Sequence, residues 1–303
     1  MLLTQTDIAP IYHGEVVKLW SVASAMVLIY DYVLTLSLEI EYTWGRNLSL
    51  LDTLFFFTRY APFVDVGISL YSQLFPGLGT STCESVYQFS AWSFTIGIAI
   101  GEIILTIRTW SLYSRGRTLG MVLAAFFLMC WAAIFTSMGL FLKSTHAMKF
   151  SMPENATCFA GVGNDLLYVC WCVLLVYDAG IMILMVVQAI SVYSGKRSSP
   201  LLDALYIDGV AYYVLLFIFS LANIVTILTL PTDFVNLFSS FTRVLHSTLT
   251  CRVVLHVREQ ANYARCIDDD DVFGTDRFSP FPTIPRIIDV PQTLRQRRST
   301  VIE

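Results

Sequence analysis

The sequence predicts an all-α, polytopic membrane bundle of about seven transmembrane helices, with the N-terminus outside and the C-terminus in the cytoplasm. Three observations lead there: a deficit of charge, seven apolar stretches near bilayer length, and an uneven distribution of arginine and lysine between the connecting segments.

The charge deficit comes first. Hydrophobic residues make up 55% of the chain and charged residues only 14%, with a mean hydropathy of +0.63. A soluble domain carries roughly 25% charged residues, because even a large core must be clothed in polar surface. The formal net charge of −4 is unevenly laid out: charges crowd into loops and into the segment after Val257. Lipid is the partner this composition implies, and nothing in it points to nucleic acid.

Crossing the hydrocarbon core takes about 20 mostly apolar residues. Seven stretches meet that length, approximately 16–38, 50–75, 87–107, 119–142, 166–192, 206–230 and 234–255. Backbone in lipid must satisfy its own hydrogen bonds, so each is expected to be helical. The second contains Arg59 and Asp65, and the seventh contains Arg243 and His246, which makes these two the least apolar. Asp7 and Glu15 stand where a cleavable signal carries positive charge, so the first stretch is expected to remain as a helix.

Orientation follows from the basic residues of the short loops. With the N-terminus outside, the inner side collects Arg46, Arg108, Arg115, Arg117, Lys196, Arg197, Arg252 and Arg258, and the outer side holds Lys18, Lys143 and Lys149. In that frame Cys83 and Cys158 fall outside, where disulfides persist, and are expected to bridge two outer loops, to stay free, or to pair with another chain. Asn155 heads a glycosylation sequon in the same outer loop, whereas the sequon at Asn47 falls inside and is expected to be silent. The resulting plan is an extracellular N-terminus over 1–15, a transmembrane domain over 16–258, and a disordered cytoplasmic tail over 259–303. That tail is acidic at Asp268–Asp271 and then rich in proline, with few residues able to offset the entropy of ordering it. Cys251 and Cys266, near the inner face, are candidates for palmitoylation.

Ionisable side chains within spans are costly and face the bundle interior or water. Asp31 and Arg59 each lie roughly 14–15 Å deep from the inner end at 1.5 Å per residue, on helices joined by a short hairpin. They are expected to form an ion pair that either fixes helix packing or handles a ligand or proton. Glu102, Asp178, Asn223 and Arg243 could line a central polar cavity, or Arg243 could pair with one acid as structural glue. His246 is expected to be a satisfied interior histidine. Gly97 and Gly101 form a small-residue stripe suited to close helix packing.

Several chemistries are missing. No zinc-protease helix, phosphate loop or nucleophile elbow occurs, so no catalytic, metal or cofactor set is expected, and no enzyme. Retinal chemistry needs a lysine in the last helix, and the four lysines are Lys18, Lys143, Lys149 and Lys196.

The run Tyr30-Asp31-Tyr32-Val33-Leu34-Thr35-Leu36, followed by Glu39, Glu41 and Trp44 and then by Phe57-Thr58-Arg59-Tyr60, resembles a family of membrane proteins from mushroom-forming fungi whose N-terminal domain has no known function. The closing Cys251-Arg252-Val253-Val254-Leu255-His256-Val257-Arg258-Glu259 resembles that family's last-helix ending. The resemblance implies the multi-pass architecture and a fungal source, and brings no activity with it. A receptor-like protein sensing an unknown extracellular ligand, with a cytoplasmic signalling partner, is the expectation, set against a small-solute transporter or channel. The third helix ends Ile107-Arg108-Thr109-Trp110, without Asp-Arg-Tyr, and the seventh lacks Asn-Pro-x-x-Tyr. The host membrane is expected to be the plasma membrane or an endomembrane.

Overall fold

The structure is a computed structural model that describes residues 5–45, 49–74, 79–113, 115–145, 166–194, 200–230, 234 and 237–273. Among these residues there are seven α-helices and no strand. They are α1 (Gln5–Tyr42), α2 (Leu50–Leu74), α3 (Thr80–Leu112), α4 (Arg117–Thr145), α5 (Leu166–Ser194), α6 (Pro200–Thr229) and α7 (Ser239–Phe273). The chain divides into two compact units, Met1–Ala261 and Asn262–Glu303. α1 begins well ahead of residue 16, and α7 runs past 258, so both terminal helices outlast the apolar stretches that predict them.

Among the described residues, five helices are long and apolar enough to cross a membrane: Gly14–Tyr42, Ser81–Leu112, Arg117–Ser144, Leu166–Ser191 and Gly209–Thr229. Their outward faces are apolar, with Leu19, Met121, Leu128, Val176, Ile190 and Leu228 all largely exposed. An apolar belt on that scale is incompatible with water and is what lipid tails require. The protein is a multi-pass, all-α membrane protein.

α2 and α7 are built differently. α7 buries Thr242, Arg243, His246, Ser247, Thr248 and Thr250 along with Val244, Leu249, Cys251, Val253 and Leu255. Those positions cover every face of the helix at 100° per residue. Buried all round and rich in polar side chains, α7 is unsuited to lipid but suited to the middle of a bundle, where its neighbours supply partners.

Register shows how the helices run. Position 97 meets 243 and position 101 meets 250, so α3 and α7 run in the same direction. Asp65 meets Arg243, Thr58 meets Ser247 and Asp52 meets Arg258, so α2 runs opposite to α7. Thr106 meets Tyr177, and Tyr113 donates to the Leu184 carbonyl, which sets α5 parallel to α3. Successive helices alternate in direction, and α1, α3, α5 and α7 start at one end of the bundle, the N-terminal end.

One local feature ties α2 to α7. Pro62 lies inside α2 and has no N–H to give the carbonyl four residues back. That carbonyl belongs to Thr58, and the Ser247 hydroxyl of α7 donates to it at 2.7 Å. Ser247→Ala therefore leaves a buried carbonyl unpartnered and should cost about 1–3 kcal/mol. The same change made on top of Pro62→Ala, which restores the helical N–H, should cost much less. Thermal unfolding of the four proteins in detergent gives the comparison; equal costs in both backgrounds would refute the repair.

Candidate functional site

Three clusters of interior charged groups stand out among the described residues. The first joins α1, α2 and α7 at the end opposite the N-terminal end. Arg59 Nε lies 2.5 Å from Glu39 Oε2, with both side chains buried. Glu39 also accepts from the Tyr60 hydroxyl at 2.9 Å and from the Trp44 indole at 3.2 Å. The Arg59 guanidinium sits over the Tyr32 ring, 4.9 Å from its centroid, and donates to the Tyr32 carbonyl at 3.3 Å. Asp31 is held by Arg252, Nε to Oδ1 at 2.5 Å. One helical level further along, Arg258 binds Asp52 and donates to the Thr43 hydroxyl at 2.8 Å.

The expected Asp31–Arg59 pair is thus corrected. The depth is right, since Arg59 reaches the carbonyl of Tyr32, the neighbour of Asp31. The partner differs because α7 occupies the flank of α1 that carries Asp31 and offers Arg252 there. Arg59 turns instead toward Glu39, two helical turns further along α1. Arg252, assigned from sequence to the inner loops, is a bundle residue half-buried on Asp31.

The second cluster is central. Arg243 places Nη2 3.0 Å and Nε 3.1 Å from Asp65 Oδ2, with both side chains fully buried. Ser93 of α3 donates to the other oxygen of Asp65. Gly97, one turn along α3 from Ser93, leaves the gap the guanidinium fills: a Cβ there would overlap Arg243. This explains the first glycine of the small-residue stripe; a Cβ on the second, Gly101, would stand 3.4 Å from the Thr250 hydroxyl.

The third cluster is titratable. His246 Nδ1 lies 3.1 Å from Glu102 Oε1 without hydrogen-bond alignment. Asp178 accepts from Ser220 at 2.7 Å and lies within electrostatic range of both Glu102 and His246. All three side chains are buried. Two carboxyls and one imidazole away from water can take up, share or release protons among themselves, since full separation of charge there is costly.

The four residues expected to line one polar cavity are dispersed by this arrangement. Glu102 and Asp178 share the titratable cluster, Arg243 is committed to Asp65, and the Asn223 amide donates to Thr242 at 2.7 Å. Glu102 meets His246 of α7, Asp178 meets Ser220 of α6, Arg243 meets Asp65 of α2 and Asn223 meets Thr242 of α7, so each is paired across a helix contact. His246, expected to be satisfied, makes no hydrogen bond at either ring nitrogen among the described residues. Cys83 is disulfide-bonded, and its expected partner Cys158 lies outside the described residues, as does Asn155. Cys130, Cys170, Cys172 and Cys251 are free.

A true cavity lies elsewhere, at the N-terminal end. It has a volume of about 170 Å³ and opens among the ends of α2 and α4 and the starts of α1, α3, α5 and α7. Phe94, Trp131, Phe141 and Trp171 give it aromatic walls, and Ser69, Ser72, Ser239 and Ser240 bring hydroxyls. Among the described residues that line it, none is charged. Ile98 of α3 and Leu174 of α5 also line it, and Glu102 and Asp178 lie one turn further along the same helix faces. Composition gave no signal for this site, because apolar walls look like ordinary core in a sequence.

The chain matches, over residues 20–64, the model of a family described as a family of unknown function (DUF6533). That stretch holds Asp31, Glu39, Trp44, Arg59 and Tyr60, the α1–α2 side of the first cluster. No curated protein and no solved structure matches the chain.

Proposed function

We propose that this protein crosses the membrane seven times, N-terminus outside, and receives a small extracellular ligand in the cavity at its N-terminal end. The carrying observation is the cavity itself: uncharged, aromatic-walled, and open at the end where α1, α3, α5 and α7 begin. Pockets of this character are ordinary small-molecule sites. The reading of that end as the outer one is supported by the positive-inside distribution of arginine and lysine. Counting α2 and α7 as spans rests on their lengths of 25 and 35 residues and on the pairing that removes the cost of their charges.

The cavity touches α7 at Ser239 and Ser240 and α2 at Ser69, Ser72 and Gln73. These are the two helices joined by Asp65–Arg243 and, at the far end, by Asp52–Arg258. A ligand that contacts both biases their relative position, and a difference in contacts between two states is what shifts a population. The inner end, where Arg258 grips Thr43 and Asp52, is the natural reporter to a cytoplasmic partner.

A transporter is the second reading, favoured by the buried Glu102, Asp178 and His246 next to the cavity. Thiol accessibility separates the two. Ser72→Cys, at the cavity, should react with a membrane-impermeant thiol reagent applied to intact cells, above the wild-type background. Thr106→Cys, beyond the titratable cluster, should stay protected from both sides. Labelling of Thr106→Cys from either side would favour transport, and Ser72→Cys labelled only from the cytoplasmic side would overturn the orientation. In the same cells Asn155 should carry glycan and Asn47 should not.

A further inference from the structure

The titratable cluster of α3, α5 and α7 carries a proton count of its own, whether or not the cavity next to it receives a ligand. Glu102, Asp178 and His246 come from three different helices, and each is more than nine-tenths buried. Both ring nitrogens of His246 and Oε1 of Glu102 lack a hydrogen-bond partner among the described residues, although Nδ1 and Oε1 stand only 3.1 Å apart. A hydrogen bond spans that separation, and a turn of the imidazole would align it. Asp178 accepts from the Ser220 hydroxyl and lies within electrostatic range of the other two.

Two ionised carboxylates here would lack a balancing cation. Among the described residues no lysine or arginine forms an ion pair with either acid, and Arg243, one turn from His246 on α7, is committed to Asp65. The remaining titratable groups facing the cluster are the hydroxyls of Tyr177 on α5 and Tyr213 on α6. They are neutral near pH 7, and they are engaged by Thr106 and by the Leu105 carbonyl. No set of three His, Cys, Asp or Glu among the described residues is placed to hold a metal ion. An unbalanced carboxylate away from water is far costlier than the neutral acid. Two arrangements cancel the charge. Either both acids are protonated beside a neutral imidazole, or one is protonated and the other pairs with imidazolium. Each holds two protons.

We infer that Glu102, Asp178 and His246 form one proton-binding site, which holds two protons in the folded protein at neutral pH and joins α3, α5 and α7 as an uncharged unit. In the unfolded chain carboxyls ionise near pH 4 and histidine near about 6.5, so above that pH neither proton is kept. Folding then takes up two protons. Stability from this site is present at low pH and is lost as pH rises, because the folded state binds more protons than the unfolded one. Each proton multiplies the unfolding constant by about 10 per pH unit.

Glu102→Gln and Asp178→Asn keep the side-chain shapes and remove one proton each from this count. The double variant removes both and supplies the baseline for every other titrating group. Denaturant unfolding in detergent at pH 7 and pH 8 gives the four unfolding constants. Over that interval the wild-type constant should rise about 100-fold more than that of the double variant, and each single variant's about 10-fold more. If the double variant does not fold, each single should still rise about 10-fold less than the wild type. Infrared absorption gives a second readout: at pH 7 the wild type should show a protonated-carboxyl C=O band, shifted in heavy water, that is weakened or lost in the variants. Equal pH dependence in wild type and variants, or no difference in that band, would overturn the proton site. So would stabilisation of the wild type at pH 8 by sodium chloride but not by choline chloride, absent from the variants, since a metal ion would then balance the acids. The labelling of Ser72→Cys is unaffected by any of these results and judges the cavity separately.

Discussion

Arg59→Leu will destabilise the bundle by about 3–5 kcal/mol, the usual cost of stranding one member of a buried pair. Glu39 is fully buried, and Arg59 is the cation beside it. Tyr60 and Trp44 still donate to Glu39 in the variant, but two neutral donors do not replace a guanidinium. A second change, Glu39→Gln, removes the stranded charge and should recover most of the loss. Asp31→Leu in its place should recover nothing and should deepen the loss, because it strands Arg252. Unfolding in detergent of the wild type, the single variants and the two doubles closes both thermodynamic cycles. Rescue by Asp31→Leu rather than Glu39→Gln would show that the arginine serves the other acid.

Gly97→Ala will be about as damaging, although helix propensity alone favours alanine by about 1 kcal/mol. The added methyl would come within 2.7 Å of Arg243 Nε and closer still to Cζ and Nη2. The guanidinium is at the end of a flexible side chain, so in an open site it would swing aside. Here it is fully buried, and Asp65 is fixed in turn by Ser93. Either the Asp65–Arg243 pair breaks, or α3 moves away from α7; the first alone costs about 3–5 kcal/mol. Gly67→Ala is the control: nothing lies within 4 Å of a Cβ there, so it should stabilise α2 slightly. The two variants should therefore shift the unfolding temperature in opposite directions. A neutral Gly97→Ala would mean that Arg243 has room to move and that the pair is not locked.

The shared feature of these tests is α7. Its polar side chains reach α1 through Arg252, α2 through Arg243 and Ser247, and α3 through His246. The family match over residues 20–64 covers one side of this arrangement. Asp31, Glu39 and Arg59 face partners within that stretch or on α7, which accounts physically for charged residues in a segment that otherwise reads as apolar.

From sequence alone the chain determined its class and its solvent. Stretches such as 119–142 and 166–192 exceed the thickness of the hydrocarbon core and carry almost no charge, and a helix is what satisfies their backbone in lipid. Depth was legible too, since rise per residue is fixed: the sequence sets Arg59 level with Asp31, and in the structure Arg59 reaches the carbonyl of Tyr32, the neighbour of Asp31. Tertiary structure decided the partners. Which acid a buried arginine meets depends on how its helix is rotated and on what packs beside it, and Asp65 finds Arg243 across 178 residues. A local reading counts each of those charges as a cost, because the partner that cancels it lies outside any window. The cavity was hidden for the opposite reason: Trp131, Trp171 and Ile98 have the composition of core, and only packing leaves space between them.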